Sequence, residues 1–393
     1  MSLTFAYLSQ GKLFVKQGDA VKEIQSEFGQ SVQVRKLEMK RRKAWKNRGI
    51  MEMMLPPTVL QQMDQQPEAT EQILITSLCQ GQDGQLLYSL EAGELGGIFA
   101  WDGVRDRENR LFHNTDFHLT DLDFHLERNL LACTLSHRTG ITNIALMAAE
   151  GARPREVTEG DSLDRAPRWI PGEYALVYQS AGLARTPDGY ISDRAPFTIE
   201  KLDFAKQEVV SLAADPKSDL LGPQVGADGW LYYIARPYQS RKPGFHPLKA
   251  LKELVLIPFR LAYAIFQWLN FFSQIYTGKP LLRAGTNQKV EPKQLRAWGD
   301  WITPELVRDR NRSEADAPPL VPKTWQLRRQ ALQGEPQVLA EGVLSYDLAS
   351  DGTIIYTNGS GIYTLSPKGE RQRLWVSPMI ETVMIVEAKP DQT

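Results

Sequence analysis

The chain ends in IETVMIVEAKPDQT, residues 380–393, and begins MSLTFAYLS, residues 1–9. Ile380 to Glu387 reads as a strand that breaks at Lys389-Pro390-Asp391-Gln392, and Thr4 to Ser9 reads as another strand. Together the two ends have the form of one β-hairpin. The same unit of strand, acidic turn and strand recurs inside the chain as GQDGQLLYSL (81–90), GADGWLYYIAR (226–236) and ASDGTIIYTN (349–358). Looser copies are IPGEYALVYQS (170–180) and HLERNLLACTLS (125–136), so the ends complete a sixth. A chain whose termini complete one of its own repeats is expected to be a ring, and a ring of β-sheets is a propeller.

The turn residues Asp83, Glu127, Gly172, Asp228, Asp351 and Asp391 are separated by 44, 45, 56, 123 and 40 residues. A four-stranded blade takes roughly 40 to 50. The interval of 123 is therefore long, as is the 85 residues from Asp391 through the termini to Asp83. The expectation is an all-β, six-bladed β-propeller, residues 1–393, closed circularly by both termini and carrying two mainly helical insertions. One insertion, 28–72, falls between the first and second blades, and the other, 241–320, falls within the fifth. Residues 5–25 also lie well beside 354–375, pairing FAYLSQGKLFV with IIYTNGSGIYTL. Both show the period of two that a half-buried strand needs, with Gly, Asp and Asn at the turns.

The run Asp164-Arg-Ala-Pro167-Arg-Trp169-Ile-Pro171-Gly172, followed by Ala175-Leu-Val-Tyr178, resembles the TolB-like, WD-repeat-like propeller repeat, with its Pro, aromatic and S-P-D-G turn before an apolar strand. Asp219, Pro223 and Asp228-Gly229 repeat it one blade on. No turn carries a complete S-P-D-G, and the blade around Glu127 has neither Pro nor Gly. The resemblance spans most of the chain outside the insertions and implies the fold; many unrelated functions use this repeat.

With 42% apolar and 24% charged residues among 393, the composition suits a globular chain with a large core. The opening residues lack a basic leader followed by an apolar run of about 7 to 15 residues. TolB proteins are periplasmic, so this departure leads to the expectation of a cytoplasmic protein, membrane-associated if its helical insertion binds lipid. Cys79 and Cys133 fall in strands of different blades and are expected to be buried free thiols.

The net charge of −1 conceals an asymmetry. Residues 35–48 carry +7 and residues 241–296 carry +8, which leaves −16 for the rest. Both basic blocks lie in the insertions.

The larger insertion contains LKALKELVLIPFRLAYAIFQWLNFFSQIYT, residues 248–277. Lys249, Glu253, Arg260, Gln267, Asn270, Gln274 and Thr277 form a narrow polar stripe at helical spacing, and Pro258 kinks or restarts the helix. Leu254, Phe259, Ile265, Phe266, Trp268, Leu269, Phe271 and Phe272 need burial, at about 1.5 to 3 kcal/mol for each large side chain. A single membrane pass is excluded by topology, because the strands at 230–235 and 325–329 must meet in one blade, and the polar stripe interrupts the apolar run of about 20 residues that a span needs. Three burials remain: against the chain's own propeller, in a partner protein's groove, or in a membrane surface with the basic flanks, Arg260 among them, near anionic lipid. The candidate docking surface is thus Leu254, Phe259, Arg260, Ile265, Phe266, Trp268, Leu269, Phe271 and Phe272.

The smaller insertion begins as a helix in which Phe28, Val32, Leu37, Met39 and Trp45 pack and the charges stay wet, ended by Gly49 and Pro56-Pro57. Its basic patch, Lys40, Arg41, Arg42 and Lys43, suits phosphate contacts, an acidic partner or plain solvent. Nucleic acid is not the expected ligand, because no nucleic-acid domain accompanies the patch and Trp45 alone is no stacking platform.

A third cluster comprises His113, Asp116, His118, Asp121, Asp123, His125 and Glu127. Asp121, Asp123 and His125 would share one face of a strand and line the propeller channel. Ligands at period two stand about 6 to 7 Å apart, too far for one metal ion without help from other blades. No nucleophile elbow, H-E-x-x-H, C-x-x-C or phosphate-cradling Gly motif is present, and Gly359-Ser360-Gly361 reads as a hairpin turn. The sequence therefore points to a scaffold without cofactor that binds a protein partner or, peripherally, a membrane. The alternative is a propeller hydrolase or lyase with a site at the channel mouth near Asp121, Asp123 and His125.

Overall fold

The computed structural model describes residues 3–54, 72–115, 117–239, 295–298, 300–302, 317–331 and 334–387. The chain divides into two compact units. One comprises Met1–Ser31, Gln72–Arg241 and Pro292–Thr393; the other comprises Val32–Glu71 and Lys242–Glu291.

In the first unit, β1 (Phe5–Ser9), β2 (Lys12–Gln17) and β3 (Ala20–Ile24) form an antiparallel meander that leads into α1 (Glu27–Met54). A second meander follows: β4 (Ile73–Gln80), β5 (Leu86–Ala92), β6 (Leu95–Asp102) and β7 (Arg107–Thr115). Next come β8 (His118–His125), β9 (Leu130–Ser136), β10 (Thr142–Ala148) and the short β11 (Arg155–Glu156). They are joined by one parallel bridge, Thr142 with Leu163, to β12 (Ser162–Trp169), β13 (Ala175–Arg185), β15 (Thr198–Asp203) and β16 (Glu208–Ala213). Strand β14 (Ile191–Arg194) pairs with the far end of β13.

The next sheet is β17 (Ser218–Val225), β18 (Leu231–Pro237), β21 (Gln326–Gln330) and β22 (Gln337–Glu341), with β18 paired directly to β21 across the long intervening segment. That segment includes a two-stranded hairpin, β19 (Leu295–Ala297) with β20 (Asp300–Ile302). Strands β23 (Ser345–Leu348), β24 (Ile354–Thr357), β25 (Gly361–Leu365) and β26 (Arg371–Val376) form another sheet. The last strand, β27 (Ile380–Ile385), pairs antiparallel with β1, setting Phe5 opposite Ile385 and Tyr7 opposite Val383.

Burial explains the composition of the strands. The second strand of a sheet is covered on both faces: every residue of β1 is buried, as are Leu86 to Leu90 of β5 and all of β18 except Pro237. These strands read FAYLS, LLYSL and LYYIAR, with apolar side chains or aromatics at successive positions. The outermost strands β3, β16, β22 and β26 are largely exposed and carry Lys, Glu, Gln or Arg. A charged outer edge also discourages pairing with foreign strands. Tyr88, Tyr356, Phe5 and Phe99 are among the largest fully buried side chains, each contributing about 1.5 to 3 kcal/mol.

The first strands of the sheets are irregular in a repeated way. Their ladders slip between Thr120 and Asp123 in β8, between Arg165 and Arg168 in β12, and between Leu221 and Gln224 in β17. Each slip contains a residue in the left-handed region: Asp121 (φ 54°), Ala166 (φ 51°) and Gly222 (φ 57°). In β12 and β17 the next residue is Pro167 or Pro223. A bulge is where a strand tolerates proline, because no ladder N–H is needed there. The turn at Glu127, which has no glycine, places Asn129 in the left-handed region (φ 51°), a conformation Asn accepts more readily than most residues.

Side-chain to backbone bonds tie strands of different sheets to one another. Leu122 N donates to Ser77 Oγ (2.8 Å), linking β8 to β4, and Trp169 N donates to Asp123 Oδ2 (2.7 Å), linking β12 to β8. Gly222 N donates to Gln179 Oε1 (2.7 Å), and Gln224 Nε2 donates to the Tyr346 carbonyl (3.4 Å), joining β17 to β13 and to β23. Ile385 N donates to Asp347 Oδ2 (2.8 Å), joining β27 to β23. Gln80 at the end of β4 makes a reciprocal pair with the Glu387 backbone, at 2.8 and 2.9 Å.

Helix α1 differs from its expected form. It runs through Gly49 to Met54, and Met39 is 55% exposed. Gly costs a helix interior only about 1 kcal/mol relative to Ala, so it need not stop one. The start of α1 is fixed by Ser26, whose Oγ accepts from Gly29 N (3.1 Å) and donates to Glu108 Oε1 (2.6 Å) on β7. Glu108 also accepts from Phe28 N and from the Tyr88 hydroxyl. Phe28 packs against Phe99 and His113.

Candidate functional site

Strands β8, β12 and β23 bring Asp123, Arg168 and Asp347 together. Arg168 Nη1 lies 3.1 Å from Asp123 Oδ1, while the other Asp123 oxygen accepts from Trp169 N. Asp347 belongs to the same electrostatic cluster and accepts from Ile385 N. The side chains of Asp123 and Arg168 remain 18% and 27% exposed.

Their ionisation follows from that setting. Burial raises the Asp123 carboxyl, and the Arg168 guanidinium and the Trp169 amide only partly offset it. Among the described residues Asp347 shares its nearest cation, Arg168, with Asp123. Burial and the nearby Asp123 outweigh Arg168 and two backbone amides, and its carboxyl is pushed up to about 6. Burial opposes the charge on Arg168, but Asp123 and Asp347 more than compensate and hold it protonated.

Asp121, Asp123 and His125 do not form the regular row that period two predicts. The bulge at Asp121 interrupts the alternation, and each of the three side chains is engaged by β12. Asp121 Oδ2 accepts from Ala166 N (3.3 Å) and Thr120 Oγ1 (3.2 Å), Asp123 is held as above, and His125 meets Trp169 edge to face with ring centroids 4.8 Å apart. Among the described residues no group of three or more His, Cys, Asp or Glu is placed to hold a metal ion. His113 packs on Phe28 and His118 lies 3.6 Å from Glu91. Asp116 lies outside the described residues.

The sequence reading missed Arg168 and Asp347 as site residues. A signal for Arg168 was present: it follows Pro167 as Gln224 follows Pro223, and both supply polar groups from just beyond a bulge. Cys79 and Cys133 are free and buried in one apolar cluster, where burial pushes both thiols up.

Of the basic patch, Lys40, Arg41, Arg42 and Lys43 all fall within α1, and the Arg42 side chain is exposed. Leu254, Phe259, Arg260, Ile265, Phe266, Trp268, Leu269, Phe271 and Phe272 lie outside the described residues. No helix among the described residues is long and apolar enough to cross a membrane.

No family profile and no curated protein matches the sequence. Solved structures do match. The crystal structure of TolB from Acinetobacter baumannii is similar over 98% of this chain and 66% of its own, with 11% identity and a TM-score of 0.51. A chain of the nidogen/laminin complex is similar over 99% of this chain and 100% of its own, with 8% identity and a TM-score of 0.53. At these identities the likeness is one of fold. The succession of four-stranded meanders, the tethered first strands and these matches lead to one conclusion: the chain has a β-propeller fold similar to that of TolB.

Proposed function

We propose that the chain is a six-bladed propeller closed by its two ends and that it serves as a non-catalytic scaffold, with the 241–320 insertion docking a protein partner. The blade count is supported by the tethers from β4 to β8, β8 to β12, β13 to β17, β17 to β23, β23 to β27 and from Glu387 back to β4, and the closure by the pairing of β27 with β1.

The observation that carries the scaffold reading is the use made of the axial groups. Asp121, Asp123 and Asp347 each accept a backbone N–H from the neighbouring first strand, and the one guanidinium among them, Arg168, is paired to Asp123. Carboxylates spent on holding sheets together are poor candidates for a general acid or base, which needs reach to a substrate. This weighs against the channel-mouth hydrolase or lyase.

Connectivity supports the insertion as the working part. Helix α1 follows the outermost strand β3, and the 241–320 excursion follows the second strand β18. In alternating meanders both positions finish at the end of the sheets where the first strands begin. On its sequence the larger excursion carries the apolar surface that needs a partner: Leu254, Phe259, Ile265, Phe266, Trp268, Leu269, Phe271 and Phe272, with Arg260 on its polar stripe. The basic residues Lys40, Arg41, Arg42 and Lys43 of α1 suit an acidic partner surface better than nucleic acid, for which no accompanying domain exists. A cytoplasmic setting is part of this reading, supported by the two free buried thiols, and cell fractionation tests it.

Deleting residues 245–280 tests the docking role. Pull-down from a native extract is expected to lose its specific partner while circular dichroism and the melting curve stay those of the parent. Retained partner binding, or cosedimentation of the intact chain with anionic vesicles at low salt and no protein partner, would count against it. Unfolding on deletion would show that the segment is core.

A further inference from the structure

The segment Ala317-Pro318-Pro319-Leu320-Val321-Pro322 brings the chain back from the 241–320 insertion toward β21, and it belongs to no strand. Its three prolines favour an extended backbone and remove N–H groups that a ladder would need. Ala317, Pro319, Leu320 and Val321 are buried all the same. What holds the segment is one turn of another sheet, Asn358-Gly359-Ser360 between β24 and β25. Leu320 N donates to the Asn358 carbonyl (2.8 Å), Ser360 Oγ donates to the Pro318 carbonyl (2.7 Å), and Asn358 Nδ2 donates to the Ala317 carbonyl (3.4 Å). Gly359 (φ 93°) lies against Leu320, so closely that an added Cβ would stand 2.7 Å from the Leu320 Cβ. These bonds read main chain, as sites for extended peptides do.

The same turn holds the approach to the last strand. The Gly359 carbonyl accepts from Ile380 N (2.8 Å), and the Ser360 carbonyl accepts from Ser377 N (3.1 Å). Leu320, Val321 and Met379 belong to one apolar cluster. The turn itself is set by Asn358, whose Oδ1 accepts from Ser360 N (3.0 Å) and Gly361 N (2.8 Å). Its polar groups therefore point two ways, toward 317–320 and toward the start of β27.

We infer that residues 317–322 are a strap and that the Asn358–Ser360 turn couples this strap to the start of β27, so that the foot of the 241–320 insertion and the strand pairing the two ends of the chain loosen together. Displacing the strap uncovers Gly359, the residue whose carbonyl holds Ile380, and takes away the partners of Asn358 and Ser360. A contiguous set of packed and hydrogen-bonded groups is the kind of element that carries such coupling. The inference concerns the foot of the insertion and stands whether or not the insertion docks a partner.

The test is hydrogen exchange by mass spectrometry on the full-length chain carrying Ser360→Ala or Leu320→Ala. Ser360→Ala removes the bond to Pro318 but keeps the carbonyl that accepts from Ser377, so any change at 377–382 must pass through the turn. It is expected to speed exchange about threefold in both 320–325 and 377–382. Leu320→Ala removes the side chain over Gly359 and is expected to speed both segments about tenfold or more, with 86–100 and 198–203 as in the parent. Faster exchange in 320–325 with 377–382 unchanged overturns the coupling. No change in either segment overturns the strap, and a uniform increase across all sheets makes the segment ordinary core. If Leu320→Ala does not fold, Ser360→Ala decides: an increase confined to the two segments supports the inference, and any other pattern rejects it.

Discussion

Asp219, fully buried, and Asp347, half-buried, are both carboxylates on first strands, and both accept a backbone N–H from a neighbouring strand or loop, yet their ionisation is pushed in opposite directions. Asp219 is 1% exposed and faces two guanidinium groups. Arg194 grips both oxygens at 2.7 Å and Arg236 Nε adds a third contact at 3.0 Å. Burial alone would raise its carboxyl; the two arginines and the Phe197 amide outweigh burial and hold it below the usual range. Asp347 has only a share of Arg168, whose hydrogen bond goes to Asp123, and rises to about 6. The same backbone task is performed by a carboxylate held in its charged form in one sheet and by a titrating one beside the chain's last strand. What separates them is the number of cations within reach.

The largest effect is expected from removing the strand that Asp347 holds. Truncation of residues 384–393 deletes Ile385 and Glu387, and truncation of residues 1–10 deletes β1. Each is expected to lower the melting temperature by about 10 °C or more, or to abolish a cooperative transition. Parent-like melting of both trimmed forms would refute the closure. Next comes Asp219→Ala, which takes from Arg194 and Arg236 the buried carboxylate that both contact. The expected cost is about 3 to 5 kcal/mol in urea unfolding. A loss below about 1 kcal/mol would erase the contrast with Asp347.

Asp347→Asn is expected to act in the opposite sense at neutral pH. Because the folded carboxyl lies near 6, above its ordinary 3.8, the native state binds the proton more tightly than the unfolded chain does. That contribution is complete below about pH 4 and is lost as pH rises through about 6, so at pH 7.5 the ionised group costs about 2 to 3 kcal/mol. The amide still accepts from Ile385 N and carries no charge. Asp347→Asn should therefore match or exceed the parent in urea midpoint at pH 7.5, and should flatten the parent's loss of stability between about pH 4 and 6. An unchanged pH profile would locate that titration elsewhere.

The smallest effect concerns a third carboxylate, Glu108, which is held by neutral donors: Tyr88, Ser26 and the Phe28 amide. Ser26→Ala removes both the helix cap and one of these donors and is expected to cost about 1 kcal/mol. A cost as large as that of Asp219→Ala would mean that neutral donors anchor a carboxylate as firmly as cations do.

Much of the strand pattern was legible because turns and buried second strands leave local marks. Asp83, Asp228 and Asp351 with their following glycines marked the turns, and FAYLS, LLYSL and LYYIAR marked strands covered on both faces. The candidate site was legible only in part. Asp121, Asp123 and His125 were found on β8, but the period-two rule assumed a regular strand, and the bulge at Asp121 breaks it. Arg168 and Asp347 lie 45 and 224 residues from Asp123 in sequence, and no local rule couples them. Gly49 misled because a helix with its root fixed by Ser26 and Glu108 can absorb one poor residue.

Composition, turn spacing and hydrophobic alternation determine the class of this protein by themselves, because those signals depend only on a residue and its near neighbours. They also reveal the two basic excursions, since charge is additive along a chain. The partners of the buried charges were decided by tertiary structure. Ionisation of a buried carboxylate depends on the cations within a few ångströms in space, and only the folded arrangement gives Asp219 two and leaves Asp347 a share of one.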